Sequence, residues 1–115
     1  MTPKDNAMRI NIVNIVATAR LGQRVSLENL AHVNGFLYDA RIYRCAYLKD
    51  GKTRGKVSIF STGRMISTGT KRFRDSEHDL EHATRRLVDL GLITPTEIEE
   101  IEAAKRVLAK ISNLV

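Results

Sequence analysis

One cysteine, Cys45, stands among 115 residues. A single thiol excludes an internal disulfide and cannot build a zinc cluster. Set in an apolar, β-prone run, it reads as a buried and inert side chain. No stretch approaches the roughly 20 apolar residues that a membrane-spanning helix needs. The N-terminal MTPKDNAMR lacks the apolar core of a signal peptide. There is no glycine loop of the phosphate-cradling kind and no nucleophile signature. These absences point to a soluble protein in a reducing compartment, with no enzyme chemistry and no cofactor.

What is present is an ordinary globular composition, 43% apolar and 28% charged, over a length that suits one domain. Nineteen Lys and Arg against thirteen Asp and Glu give a net charge of +6. A domain this basic suits a polyanionic partner, although solubility accounts for part of such a charge.

The first element, RINIVNIVATARL, is too rich in Ile and Val to favour a helix and reads as a strand. Val13, Ile15, Ala17 and Ala19 share one face, and Ile10, Ile12, Asn14, Val16 and Thr18 the other. Ser26 can cap a short helix that Asn34-Gly35 closes. FLYDARIYRCAYL is β-prone with a break near Asp39-Ala40, and KDGKTRGK is a hairpin connection. SIFSTGRMISTG supplies two more strands: Phe60 and Ile66 point one way, Ile59 and Met65 the other. Both faces are therefore apolar, and a sheet with one watery face should not look so.

Ser76 to Leu90 has helical spacing at Leu80, Ala83, Leu87 and Leu90, with Ser76 and Asp79 as a capping box and Gly91 as the stop. Within it, His78 to His82 fits H-x-x-E-H, in which two histidines hold zinc. A zinc hydrolase needs a further ligand, and the one other histidine is His32, so the metal reading is not adopted. A last helix is expected from Thr94, Pro95 and Glu97, with a narrow seam at Ile101, Ala104, Leu108, Ile111 and Val115. Ile101, Leu108 and Ile111 are its expected partner or dimer contacts.

Asn14-Ile15-Val16, Tyr38-Asp39-Ala40-Arg41-Ile42-Tyr43 and Ile59-Phe60-Ser61-Thr62-Gly63-Arg64, running on to Thr68-Gly69-Thr70-Lys71, resemble one repeat of the TATA-box-binding protein family. The resemblance covers about Arg9 to Gly91. It implies an α+β fold: a curved antiparallel five-stranded sheet with two helices on its convex face, here followed by the extra C-terminal helix. The expected organisation is a tail at 1–8, the repeat at 9–93 and the helix at 94–115.

The resemblance also implies that the apolar concave face lies in a DNA minor groove, which is read by shape and by apolar wedges. It makes Asn14 a hydrogen-bonding partner of minor-groove acceptors, places Val16, Ile66 and Thr68 against base edges and Phe60 as a wedge, with Tyr43 at the second wedge position and Thr18 among the DNA-binding residues. Lys49, Arg54, Arg64 and Lys71 fall near phosphates. Tyr43, Arg44 and Ser58 depart from the family pattern, in which apolar residues are usual. The implied partners are double-stranded, A·T-rich DNA, a second copy completing the saddle through the Asn14 strand, and transcription factors. An archaeal source is implied, with action in the cytoplasm at the nucleoid. The rival reading is a protein-interaction module that pairs with a full family member or a transcription regulator and never touches DNA. A third is a duplex-gripping adaptor like the N-terminal domain of type III ribonuclease H.

Overall fold

In the computed structural model residues 15–95 are described, together with the backbone at 100–101 and 105–106. The period-2 pattern read from the sequence is the pattern observed. In β1 (Ile15–Arg20) Ile15, Ala17 and Ala19 are buried while Val16, Thr18 and Arg20 face outward. In β5 (Arg64–Thr70) Met65, Ser67 and Thr70 are buried and Arg64, Ile66 and Thr68 face outward. The register between them, Thr18 opposite Ile66 and Ala19 opposite Met65, shifts between Ile15 and Ala17. An irregularity there lets both strands keep their apolar sets on the core side of the sheet.

Between these strands lie β2 (Phe36–Leu37), β3 (Ala46–Leu48) and β4 (Lys56–Ile59). The five strands form one antiparallel sheet in the order β2-β3-β4-β5-β1. The break expected near Asp39 falls between β2 and β3. There the Asp39 carbonyl accepts the Ile42 and Tyr43 N–H groups, and the Asp39 carboxylate takes the Arg41 N–H and guanidinium. The β4–β5 hairpin turns at Gly63, whose φ is +95°. A Cβ at that position would lie 2.1 Å from the Gln23 carbonyl oxygen, so a side chain there would push the hairpin away from the chain leaving β1.

One long helix, α1 (Phe73–Asp89), crosses the sheet and buries Leu80, Ala83 and Leu87 against Ala17, Val57, Ile59 and Met65. It begins three residues before the expected Ser76 because Ser76 and Asp79 do not cap it. Both are fully buried: the Ser76 hydroxyl pairs with that of Thr70, and Asp79 holds backbone of the β3–β4 loop. The C-terminal end is as read. Gly91 has φ +75°, its N–H reaches the Val88 carbonyl, and the Leu92 N–H reaches that of Leu87, a glycine-closed helix end.

Two expectations about helices need correction. The first helix is a single 3-10 turn, Leu27–Leu30, whose Leu27 and Leu30 are both buried. The segment after it, His32-Val33-Asn34, is made of poor helix formers, and backbone turns carry the chain on to β2. The helix expected over 94–115 is not what its described residues show. Glu100–Ile101 (β6) and Lys105–Arg106 (β7) are extended and pair antiparallel with β1, Ile101 opposite Ala19 and Lys105 opposite Val16. Thr94, the expected cap, is engaged elsewhere: its N–H and hydroxyl donate to Gln23 Oε1, and its carbonyl accepts from Gln23 Nε2. The outer edge of β1 presents peptide groups that need partners, and pairing there prevails over local helix signals. Leu108 and Ile111 lie outside the described residues.

Candidate nucleic-acid interface

Opposite α1 the sheet has an open face. Its middle is a cross-strand row, Tyr47–Ser58–Ile66–Thr18, set by the pairings β3–β4, β4–β5 and β5–β1. Val16, Phe60 and Thr68 flank the row, and all of these side chains are half-buried. Basic residues rim it: Arg20 stands opposite Arg64 at one end, Lys56 opposite Thr68 at the other, and Lys49 lies just beyond β3. β1, β3, β4 and β5 contain no Asp or Glu. Five acids sit in the helical layer, at Asp75, Glu77, Asp79, Glu81 and Asp89 of α1, while Glu28, Asp39 and Asp50 lie in the connections. The open face is thus apolar at its centre and cationic at its margins, and β1 to β5 bring no carboxylate to it; the one acid of the edge strands, Glu100 of β6, is in register opposite Arg20.

The β3–β4 loop, which carries Lys49, Lys52 and Arg54, is fastened to α1 by side chains one helical turn apart. His78 Nε2 donates to the Lys52 carbonyl at 2.9 Å. His82 Nε2 lies 2.8 Å from Asp50 Oδ2, and Arg86 Nη1 donates to the same oxygen at 2.9 Å. Buried between them, the Asp79 carboxylate accepts the Arg54 N–H at 2.9 Å and the Gly55 N–H at 2.7 Å. Partial burial of Asp50 favours its neutral form, but the hydrogen bonds from His82, the Lys52 N–H and Arg86 outweigh this and lower its pKa to about 2. The His78–His82 spacing therefore belongs to a loop clamp: each Nε2 that a shared zinc would need is turned to the loop.

Of the sequence-predicted contacts, Val16, Thr18, Phe60, Arg64, Ile66 and Thr68 are brought together on the open face. Lys71 is exposed just past β5. Arg54 is turned from the face toward the start of α1, where its guanidinium is 3.5 Å from Asp75. Asn14 lies outside the described residues. Tyr43, the second wedge position, packs its ring edge-to-face on Tyr47, with centroids 5.6 Å apart. Tyr47 is the residue that sequence reasoning missed. The signal was its place between Ala46 and Leu48 in a β-prone run, which puts it on the face opposite the core. The small Ser58, a departure from the family pattern, stands opposite this large ring.

No helix among the described residues is long and apolar enough to cross a membrane. Comparison with known proteins agrees with the geometry. Residues 9–90 match the family model described as transcription factor TFIID, or TATA-binding protein. A TATA-box-binding protein of Cenarchaeum symbiosum is 35% identical over 99 residues, covering 84% of this chain and 54% of that protein. One from Pyrobaculum neutrophilum is 34% identical, covering 96% and 58%. In the solved structure of the Methanococcus jannaschii TBP the same fold recurs with a TM-score of 0.64 at 22% identity, over 84% of this chain and 53% of that one. The chain thus spans about half the length of the relatives it matches. With the five-stranded antiparallel sheet, the crossing helix and the matched residues in agreement, the chain belongs to the TATA-box-binding protein family.

Proposed function

We propose that this chain binds double-stranded DNA without chemistry of its own, laying the open face of its sheet in the minor groove, in transcription or its regulation. The observation that carries the reading is the segregation of charge: β1 to β5 free of acid and rimmed by Arg and Lys on one side, a helix rich in acid on the other. Phosphates would meet the rim, and the apolar centre would meet base edges. Val16, Ile66 and Thr68 would pass along an A·T floor and be obstructed by the guanine amino group. Phe60, half-buried at the end of β4, has the place of a wedge.

Two copies joined through their β1 strands would double this face. Because β6 and β7 lie along that edge, such joining needs them to move aside. Action at the nucleoid, with transcription factors as partners, belongs to the same proposal, and the likeness to archaeal TATA-box-binding proteins supports it.

The test removes one positive charge from each side of the sheet. Arg64→Ala is expected to weaken binding to an A·T-rich duplex and lower its salt dependence by about one phosphate contact. Arg85→Ala, an exposed position on α1, is expected to do neither. Phe60→Ala should weaken binding as well. Equal effects of Arg64→Ala and Arg85→Ala would refute the reading.

A further inference from the structure

At the outer margin of the open face, Leu37, Tyr47, Lys49 and Lys56 surround a shallow pocket of about 440 Å³. That volume falls within the roughly 300–1,000 Å³ range of small-ligand sites. Leu37 stands opposite Tyr47 in the β2–β3 register and is 54% exposed, a large apolar side chain that nothing covers. Tyr43 braces the Tyr47 ring edge-to-face, so the ring is held before any ligand arrives. The Lys56 ammonium lies 4.6 Å from the Tyr47 ring centroid. Ser58, opposite Tyr47 on β4, leaves the inner side of the ring uncrowded. An apolar wall, a fixed aromatic ring and two ammonium groups together match a flat ring that carries a negative charge.

We propose that this pocket receives one unpaired nucleotide of a DNA strand, its base against Tyr47 and Leu37 and its phosphate between Lys49 and Lys56. The inference rests on the nucleic-acid reading of the open face and extends it outward from Tyr47, the row's outermost member, to a site completed by Leu37, Lys49 and Lys56. An exposed contact between an ammonium and a ring is weaker than stacking of a base on that ring. An entering base can therefore displace Lys56 from Tyr47, and the freed ammonium turns to the phosphate. The pocket lies at the β2–β3 margin, at the Tyr47 end of the row, where a nucleotide leaving the duplex can reach it without displacing the contacts of Ser58, Ile66 and Thr18.

The experiment compares the full chain on an A·T-rich duplex, fully paired or carrying a single unpaired 2-aminopurine, with adenosine monophosphate as the free-nucleotide arm. The unpaired nucleotide should tighten binding about tenfold, within the range of one base–aromatic stack, and its fluorescence should be quenched. Tyr47→Phe should keep this gain and Tyr47→Leu should lose it. Lys56→Ala, at an exposed position outside the core, should reduce it severalfold and serves as a second variant. Binding of the paired duplex with no gain from the unpaired base would overturn the pocket and leave the groove reading standing. A gain that survives both Tyr47→Leu and Lys56→Ala would also overturn it, as would binding of the free nucleotide without any gain from the strand. Failure to bind any duplex would remove both readings together.

Discussion

Asp79 is a carboxylate with no exposed surface, and the N–H groups it satisfies belong to a loop 24 and 25 residues away rather than to its own helix. Hydrogen bonds to a buried charge are among the costlier ones to remove, because the donors left behind stay dry. Asp79→Ala is therefore expected to lower stability by about 2–4 kcal/mol in denaturant unfolding. From the sequence, Ser76-x-x-Asp79 was indistinguishable from a capping box, since the motif records spacing and not the direction of the side chains. Asp50 makes a pH-dependent contribution. Its folded pKa of about 2 lies below the ordinary 3.8, so its stabilisation is complete above that ordinary value and is lost as pH falls through the folded one. The advantage of the wild type over Asp50→Asn should be about 2 kcal/mol near pH 6 and should shrink between pH 4 and pH 2, roughly the interval between the two pKa values. An advantage that stays constant over that interval would show that the carboxylate charge is not what His82 and Arg86 hold.

At the scale of elements, β1 and β5 were legible because a strand's alternation is written in neighbouring residues: Ala17 and Met65 inward, Thr18 and Ile66 outward. The Gly91 helix end was legible for the same local reason. The segment after Thr94 was not. Thr94, Pro95 and Glu97 form a sound helix start on their own, but Gln23 holds Thr94, and the bare edge of β1 offers strand pairing that no local pattern announces. Tyr47 escaped notice similarly, since its pocket needs the β2–β3 register to bring Leu37 opposite it. If β6 and β7 cover the β1 edge, a chain ending at Pro95 should self-associate more readily than the full chain. A shift of at least about tenfold in dimer dissociation constant, ~1.4 kcal/mol, is expected in sedimentation equilibrium. Equal association of the two chains would show that the edge is not what β6 and β7 protect.

For the whole molecule, two layers divide the labour. The helical layer holds five acids, fills the core through Leu80, Ala83 and Leu87, and fastens the β3–β4 loop through His78, Asp79, His82 and Arg86. The sheet is thereby free to present a face whose five main strands, β1 to β5, carry no carboxylate. Family, fold and the greater part of that face could be read from spaced motifs. The loop clamp, the aromatic margin and the covered edge could not, because each joins residues far apart in the chain. The central claim is that the face reads the floor of the minor groove, and inosine separates that from every major-groove or purely electrostatic alternative. Replacing guanine by inosine removes the minor-groove amino group while leaving the major-groove acceptors in place. Affinity should be measured at one salt concentration on three duplexes of equal length, built from A·T, G·C and I·C pairs. The account predicts that I·C is bound nearly as well as A·T, with G·C about tenfold or more weaker. An I·C duplex bound as weakly as G·C, or three equal affinities, would contradict it.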